Sequence, residues 1–173
     1  MKFMRSGKYK EGAAMNIQII AIGRLKEKYW TMAVQEYLKR LTPYAKITVT
    51  ELSEEQAGEG LSQKEKEAVL YKEGGRIIGA FKNGAYNIGL AIGGQRLTSE
   101  ALSQKISRLA VEGKSDFSFV IGGSFGLAPE VLAKCDMLLS FSDMTFPHQL
   151  MRVILLEQVY RAFKIANNEP YHK

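Results

Sequence analysis

The sequence predicts an α/β fold, a mainly parallel sheet of five to six strands with helices on both faces. Three observations lead there. Short apolar runs alternate with longer segments of helical spacing along the whole chain. The run 117–121 is apolar at nearly every position, as a strand covered on both faces must be. Glycines close several of the runs, at Gly23, Gly93-Gly94 and Gly122-Gly123, where the backbone must turn sharply.

Taken in order, residues 16–22 form the first strand and end at Gly23. Residues 26–41 follow as a helix with Tyr29, Ala33, Tyr37 and Leu41 on one face, and Pro43 stops it. Residues 47–52 alternate in polarity as a second strand. The stretch 53–60, with Glu54, Glu55 and Glu59, is a polar surface loop. Ser62 followed by Glu65 opens a second helix, 62–81, as a capping box. Gly74-Gly75 should weaken or break that helix. Residues 86–92 are the third strand and end in the pair Gly93-Gly94. A third helix, 98–111, starts from Thr98 or Ser99 as cap and stops at Gly113. After the fourth strand, 117–121, Pro129 opens a short helix to Ala133. Residues 137–141 are the fifth strand. Pro147 introduces the last helix, 148–166, which is apolar over most of its circumference and so demands cover on several sides. A partner subunit is the simplest source of that cover.

The chain has 173 residues, 46% apolar and 24% charged, enough for one domain with a full core. We expect that domain at 15–173. Residues 1–14 carry half of the net charge of +6, through Lys2, Arg5, Lys8 and Lys10 against Glu11. They are polar, so they read as an extension, either a cloning remnant or an early start codon, and not as a secretory signal. One cysteine excludes a disulfide framework and a multi-cysteine metal site, and two histidines exclude a multi-histidine metal centre. No metal is expected. No apolar run approaches the roughly 18 residues of a membrane span. The expectation is a cytoplasmic domain without membrane contact.

Chemistry concentrates in three loops. Gly122, Ser124 and Gly126 match G-x-S-x-G, and Asp136 or Asp143 and then His148 follow in hydrolase order. The short spacings oppose a triad. No G-x-G-x-x-G follows the first strand, and no phosphate-binding G-x-x-x-x-G-K-[ST] occurs. The ends of strands three, four and five would be neighbours if those strands pack side by side. Their free backbone groups and apolar residues Leu90, Phe141, Met144 and Phe146 would then hold a flat heterocycle, or be ordinary tight turns. His148 and Arg152 share a helix face near a positive dipole end and suit an anionic or deprotonatable substrate. Tyr171, His172 and Lys173 suit RNA contacts. Lys26, Lys28, Lys39 and Arg40 read as a solvated face.

Five stretches carry a family resemblance: 20–30, 119–126, 139–149 with its Thr145-Phe146-Pro147-His148 core, 152–163, and the ending Tyr171-His172-Lys173. Together they resemble the ribosomal large subunit methyltransferase H family, from Met15 to Lys173. The resemblance implies a SPOUT-type fold with a C-terminal trefoil knot, although knots are otherwise very rare. It implies a homodimer that moves a methyl group from S-adenosylmethionine to N3 of a pseudouridine in 23S rRNA of assembled ribosomes. Carried over by position, the cofactor contacts are Leu90, Gly122, Phe141, Ser142, Asp143, Met144, Thr145 and Phe146. His148, Arg152 and His172 become candidates for catalysis, with Tyr171, His172 and Lys173 on the substrate. Two positions depart from the family pattern: Ala91 replaces a frequent acidic residue, and Gly94-Gln95 stands where Gly-Lys is usual. The competing reading is a non-catalytic RNA- or ribosome-binding dimer of the same fold.

Overall fold

The computed structural model describes residues 15–56 and 58–172, so the leader 1–14 and Lys173 lie outside the described residues. Ten elements alternate in chain order. They are β1 (Met15–Ile22), α1 (Lys28–Leu41), β2 (Ala45–Leu52), α2 (Gln63–Ala80) and β3 (Tyr86–Arg96). Then come α3 (Ser99–Val111), β4 (Asp116–Ile121), α4 (Pro129–Lys134), β5 (Met137–Ser140) and α5 (His148–Ala166). The sheet order is β2-β1-β4-β3-β5, and every named pairing is parallel.

The sheet is covered on both faces because its central strands are apolar on both. Ile17, Ile19 and Ala21 of β1 join Phe117 and Phe119 of β4 in a core with α1, α3 and α5. The alternate residues, Ile20, Ile22 and Val120, pack with Ile77 of α2 and Val131 of α4 on the other face. This period-2 division is the strand geometry acting on an almost continuous apolar run.

Two glycine pairs behave differently from the sequence expectation. The capping box of Ser62 and Glu65 starts α2 as expected, but the helix runs unbroken through Gly74-Gly75. A Cβ on Gly74 would lie 2.8 Å from the Cβ of Ala128, so the missing side chain lets α2 approach the α4 region closely. The strand β3 does not end before Gly93-Gly94. It leaves its ladder after Leu90 and rejoins it at Gln95, with both residues opposite Leu139 of β5. A Cβ on Gly94 would lie 2.7 Å from the backbone of Leu138, so this return requires glycine.

Along α5, Leu155, Leu156, Val159, Ala162 and Phe163 are buried within the chain itself, against the sheet, α1 and α3. Leu150, Val153 and Ile154 are only half-buried. The order β4-β3-β5 makes the chain cross β3 between β4 and β5, which is compatible with the implied knot. Among the described residues, no helix is long and apolar enough to cross a membrane.

Candidate functional site

Because β3 lies between β4 and β5, their carboxyl ends open side by side, as a ligand crevice in such sheets needs. The connections after Leu90, Ile121 and Ser140 surround a cleft of about 480 Å³, and the start of α5 closes one end. Leu90, Gly122, Phe141, Ser142, Met144, Thr145 and Phe146 all line it, as does His148. Asp143 is the exception among the expected cofactor contacts. Its carboxylate turns outward to pair with Arg96, and the residue is absent from the lining. Ile121, Leu127, Leu139 and Met151 complete an apolar wall that sequence reasoning did not assign. Their only signal was position, next to the strand ends.

The loop 141–146 satisfies its own polar groups. Ser140 Oγ donates to the Ser142 carbonyl at 3.1 Å, and Ser142 Oγ accepts from the Met144 N–H at 3.0 Å. In the loop after β4, the Gly126 N–H donates to the Gly123 carbonyl at 3.0 Å. A Cβ on Gly122 would collide with the Gly126 carbonyl, so Gly122 shapes this turn before it touches any ligand. Ser124 Oγ donates to Glu54 Oε1 at 3.3 Å. With Asp136 accepting from the Asn87 N–H at 2.7 Å and Asp143 paired with Arg96, the hydrolase order of residues corresponds to no relay through His148.

His148 stands at the first turn of α5. The Cβ position that Gly23 lacks is 3.8 Å from His148 Nε2 and 3.5 Å from Glu54 Oε2. Arg152, one turn on, does not face the cleft. It is 1% exposed, and its Nη2 donates to the carbonyls of Ile22 at 3.2 Å and Gly23 at 2.6 Å. Its Nη1 donates to Glu51 Oε1 at 2.5 Å. Its Nη1 and Nη2 donors are thus turned inward to the ends of β1 and β2, while Nε has no hydrogen-bond partner among the described residues.

Beneath the same loops lies Glu73, a carboxylate the sequence did not single out. It is 3% exposed, and Oε1 accepts from the Glu55 N–H at 3.0 Å. Oε2 has no hydrogen-bond partner among the described residues and lies 2.7 Å from where a Gly123 Cβ would be. Burial pushes its carboxyl above the usual carboxylate range, and the nearby Glu54 adds to the rise.

The C-terminal residues sit elsewhere. The Tyr171 ring meets Tyr160 edge-on at 4.9 Å and carries the Arg161 guanidinium 4.7 Å from its centre. His172 Nε2 is 2.6 Å from Glu100 Oε1, and Nδ1 is 3.3 Å from Arg161 Nη1. Glu100 is held down at about 2, first by its own backbone N–H at the start of α3 and then by His172. Arg161 is 13 positions beyond His148 on α5, roughly 20 Å along the axis at 1.5 Å per residue. One chain therefore does not bring His148 and His172 together. Lys173 lies outside the described residues.

Known proteins share this architecture. A probable methylase family protein from Haemophilus influenzae Rd KW20 superposes with a TM-score of 0.50 at 14% identity, covering 91% of this chain and 70% of that one, which speaks to the fold alone. A protein named Ribosomal RNA large subunit methyltransferase H, from Clostridioides difficile (strain 630), is 54% identical over 159 residues, 92% of this chain and 100% of that protein. The family described as "Predicted SPOUT methyltransferase" matches residues 15–172. Such enzymes use S-adenosylmethionine, and the cleft fits it: its volume suits a small-molecule site, its walls are largely apolar for the adenine, and turn backbone lines its rim. Among the described residues no cluster of side chains could hold a metal ion, and a methyl sulfonium asks for none. Fold, cleft and the match from Met15 to His172 agree on one conclusion: the chain belongs to the SPOUT methyltransferase family.

Proposed function

We propose that the protein methylates N3 of a pseudouridine in 23S rRNA within assembled ribosomes, acting as a cytoplasmic homodimer. The observation that carries this reading is the cleft built from the ends of β3, β4 and β5 with His148 at its edge. The name of the Clostridioides difficile relative supports rRNA as the substrate. The half-buried Leu150, Val153 and Ile154 on α5 support a second copy as the missing cover.

In this reading S-adenosylmethionine supplies a methyl group that is already electrophilic. The protein's own work is alignment, which is worth several kcal/mol, and removal of the imide proton. Leu90, Phe141, Met144 and Phe146 hold the adenosine and keep water from it. His148 would take the N3 proton and so free the N3 electron pair for the methyl group, whose bond electrons to sulfur leave with the donor. Tyr171, His172 and Lys173 reach the nucleotide from the second subunit, since within one chain the tail lies far along α5 from His148. Arg152 fixes the floor beneath His148.

Calorimetric titration with S-adenosylmethionine, followed by transfer of labelled methyl to ribosomes with and without the pseudouridine, tests this. Thr145→Trp, at an exposed position on the cleft rim, fills the cleft and should abolish donor binding. Saturable binding by the wild type and transfer only to pseudouridine-containing ribosomes support the reading. A folded dimer that binds ribosomes but no donor would favour the non-catalytic alternative.

A further inference from the structure

The connection from β1 to α1 runs past the start of α5, which closes one end of the cleft, and is pinned along its inner edge. The Gly23 N–H donates to the Leu52 carbonyl at 2.8 Å, the Leu25 N–H to Glu51 Oε1 at 3.1 Å, and the Lys26 N–H to Gln149 Oε1 at 3.0 Å. Gln149 follows His148 directly. Leu25 packs toward the core, whereas Arg24, Lys26 and Lys28 are exposed. Tyr29 is 59% exposed and braced edge-on by Trp30 at 4.9 Å. The result is a pinned rim with three cations, the carboxylate of Glu27 and one aromatic face turned to solvent beside His148.

The charges on this rim are uncommitted. Six other arginines among the described residues each pair with a carboxylate. Arg24 is in no ion pair among the described residues, and neither are Lys26 and Lys28. Glu54, held by Ser124, lies at the start of this same connection, its Oε2 3.5 Å from the Gly23 Cβ position. Arg24, Lys26 and Lys28 still outnumber the carboxylates Glu27 and Glu54 there, so the connection attracts a polyanion.

We propose that the rim Arg24–Tyr29 is the docking surface for the RNA strand that flanks the target nucleotide. Arg24, Lys26 and Lys28 bind successive phosphates, and Tyr29 stacks on an unpaired base. The proposal rests on the rRNA reading and adds to it the path by which the strand reaches the cleft. Lys26 and Lys28 are exposed, as the solvated-face expectation has it, and the proposal gives that face a ligand, while Arg40 is held by Glu36.

The test compares wild type, the triple variant R24Q/K26Q/K28Q, and K114Q, whose lysine lies before β4 at the opposite end of the sheet. Binding of each labelled protein to purified 70S ribosomes is measured across a salt series, alongside methyl transfer and donor titration. The triple variant should bind ribosomes about tenfold or more weakly, and its log–log salt slope should flatten by about 2–3 for three lost phosphate contacts. Its donor affinity should stay at the wild-type value, as should everything for K114Q. An unchanged slope and affinity in the triple variant, an equal loss in K114Q, or no ribosome binding by the wild type would overturn the docking surface. Ribosome binding that needs the rim, without methyl transfer by the wild type, would instead overturn the enzymatic reading and leave the rim standing.

Discussion

Arg152 on α5 and Glu51 at the end of β2 are joined at 2.5 Å, and the same guanidinium holds the last carbonyl of β1, Ile22, and the next, Gly23. The start of the helix that carries His148 is thus tied to two strand ends by one buried side chain. Arg152→Ala would strip donors from two carbonyls and from Glu51. We expect a loss of about 3 kcal/mol, at the low end for a buried pair because Glu51 remains partly in water. Urea denaturation measures it. Arg152→Lys should recover only part, since one ammonium cannot span the three acceptors that the planar fork reaches.

The two glycines in the β3 excursion should respond oppositely to a methyl group. Gly93→Ala meets open space and should change stability by no more than about 0.5 kcal/mol. Gly94→Ala drives a Cβ into the backbone of Leu138 and Leu139, with nothing flexible to move aside. A loss of about 3 kcal/mol is expected, with weaker donor binding because Leu90 and Leu139 both line the cleft. Thermal melts and donor titration on the pair distinguish a backbone contact from a general intolerance of change in this loop.

That pair also marks where the sequence stops being legible. Strand and helix order followed from apolar period alone, and the α5 boundaries from Pro147 and the apolar run after it. The cleft followed from glycines and apolar residues at three strand ends. A glycine's local character does not say whether it ends an element or lets another element approach. Gly74 sits inside a continuous helix and Gly94 inside a returning strand for the second reason. The burial of Arg152 has a related cause: its spacing from His148 fixes a shared face, but only the fold places β1 carbonyls against that face. Glu73 carried no signal at all, because a glutamate in an amphipathic helix looks like any solvated one.

Glu73 gives a pH-dependent prediction. Its folded carboxyl is held above the usual range by burial, so it keeps a proton that the unfolded chain has released. Folding therefore loses stability as pH rises out of the ordinary carboxylate range. Glu73→Gln keeps an acceptor for the Glu55 N–H and removes the ionisation. The variant should melt about 2–4 °C above wild type near neutral pH, as a gain of roughly 1 kcal/mol implies for a chain of this size. The difference should close as pH falls below the ordinary carboxylate range, where the carboxyl is protonated in the folded and the unfolded chain alike. A constant difference across pH would mean the gain comes from packing.

The separation of His148 from the tail predicts complementation between defective chains. Take one chain with His148→Ala and an intact tail, and another with His148 but lacking residues 171–173. Each alone forms dimers in which every site lacks one part, so neither should transfer methyl groups. Mixed after unfolding and refolding, half of the dimers are hetero, and each of these has one site with both parts. About a quarter of wild-type activity should return, since a two-fold dimer has two equivalent sites. If each site drew its tail from its own chain, no mixture would recover activity, because every site would still lack one part. Donor binding should persist in the tail-less chain throughout, since among the described residues none beyond Met151 lines the cleft.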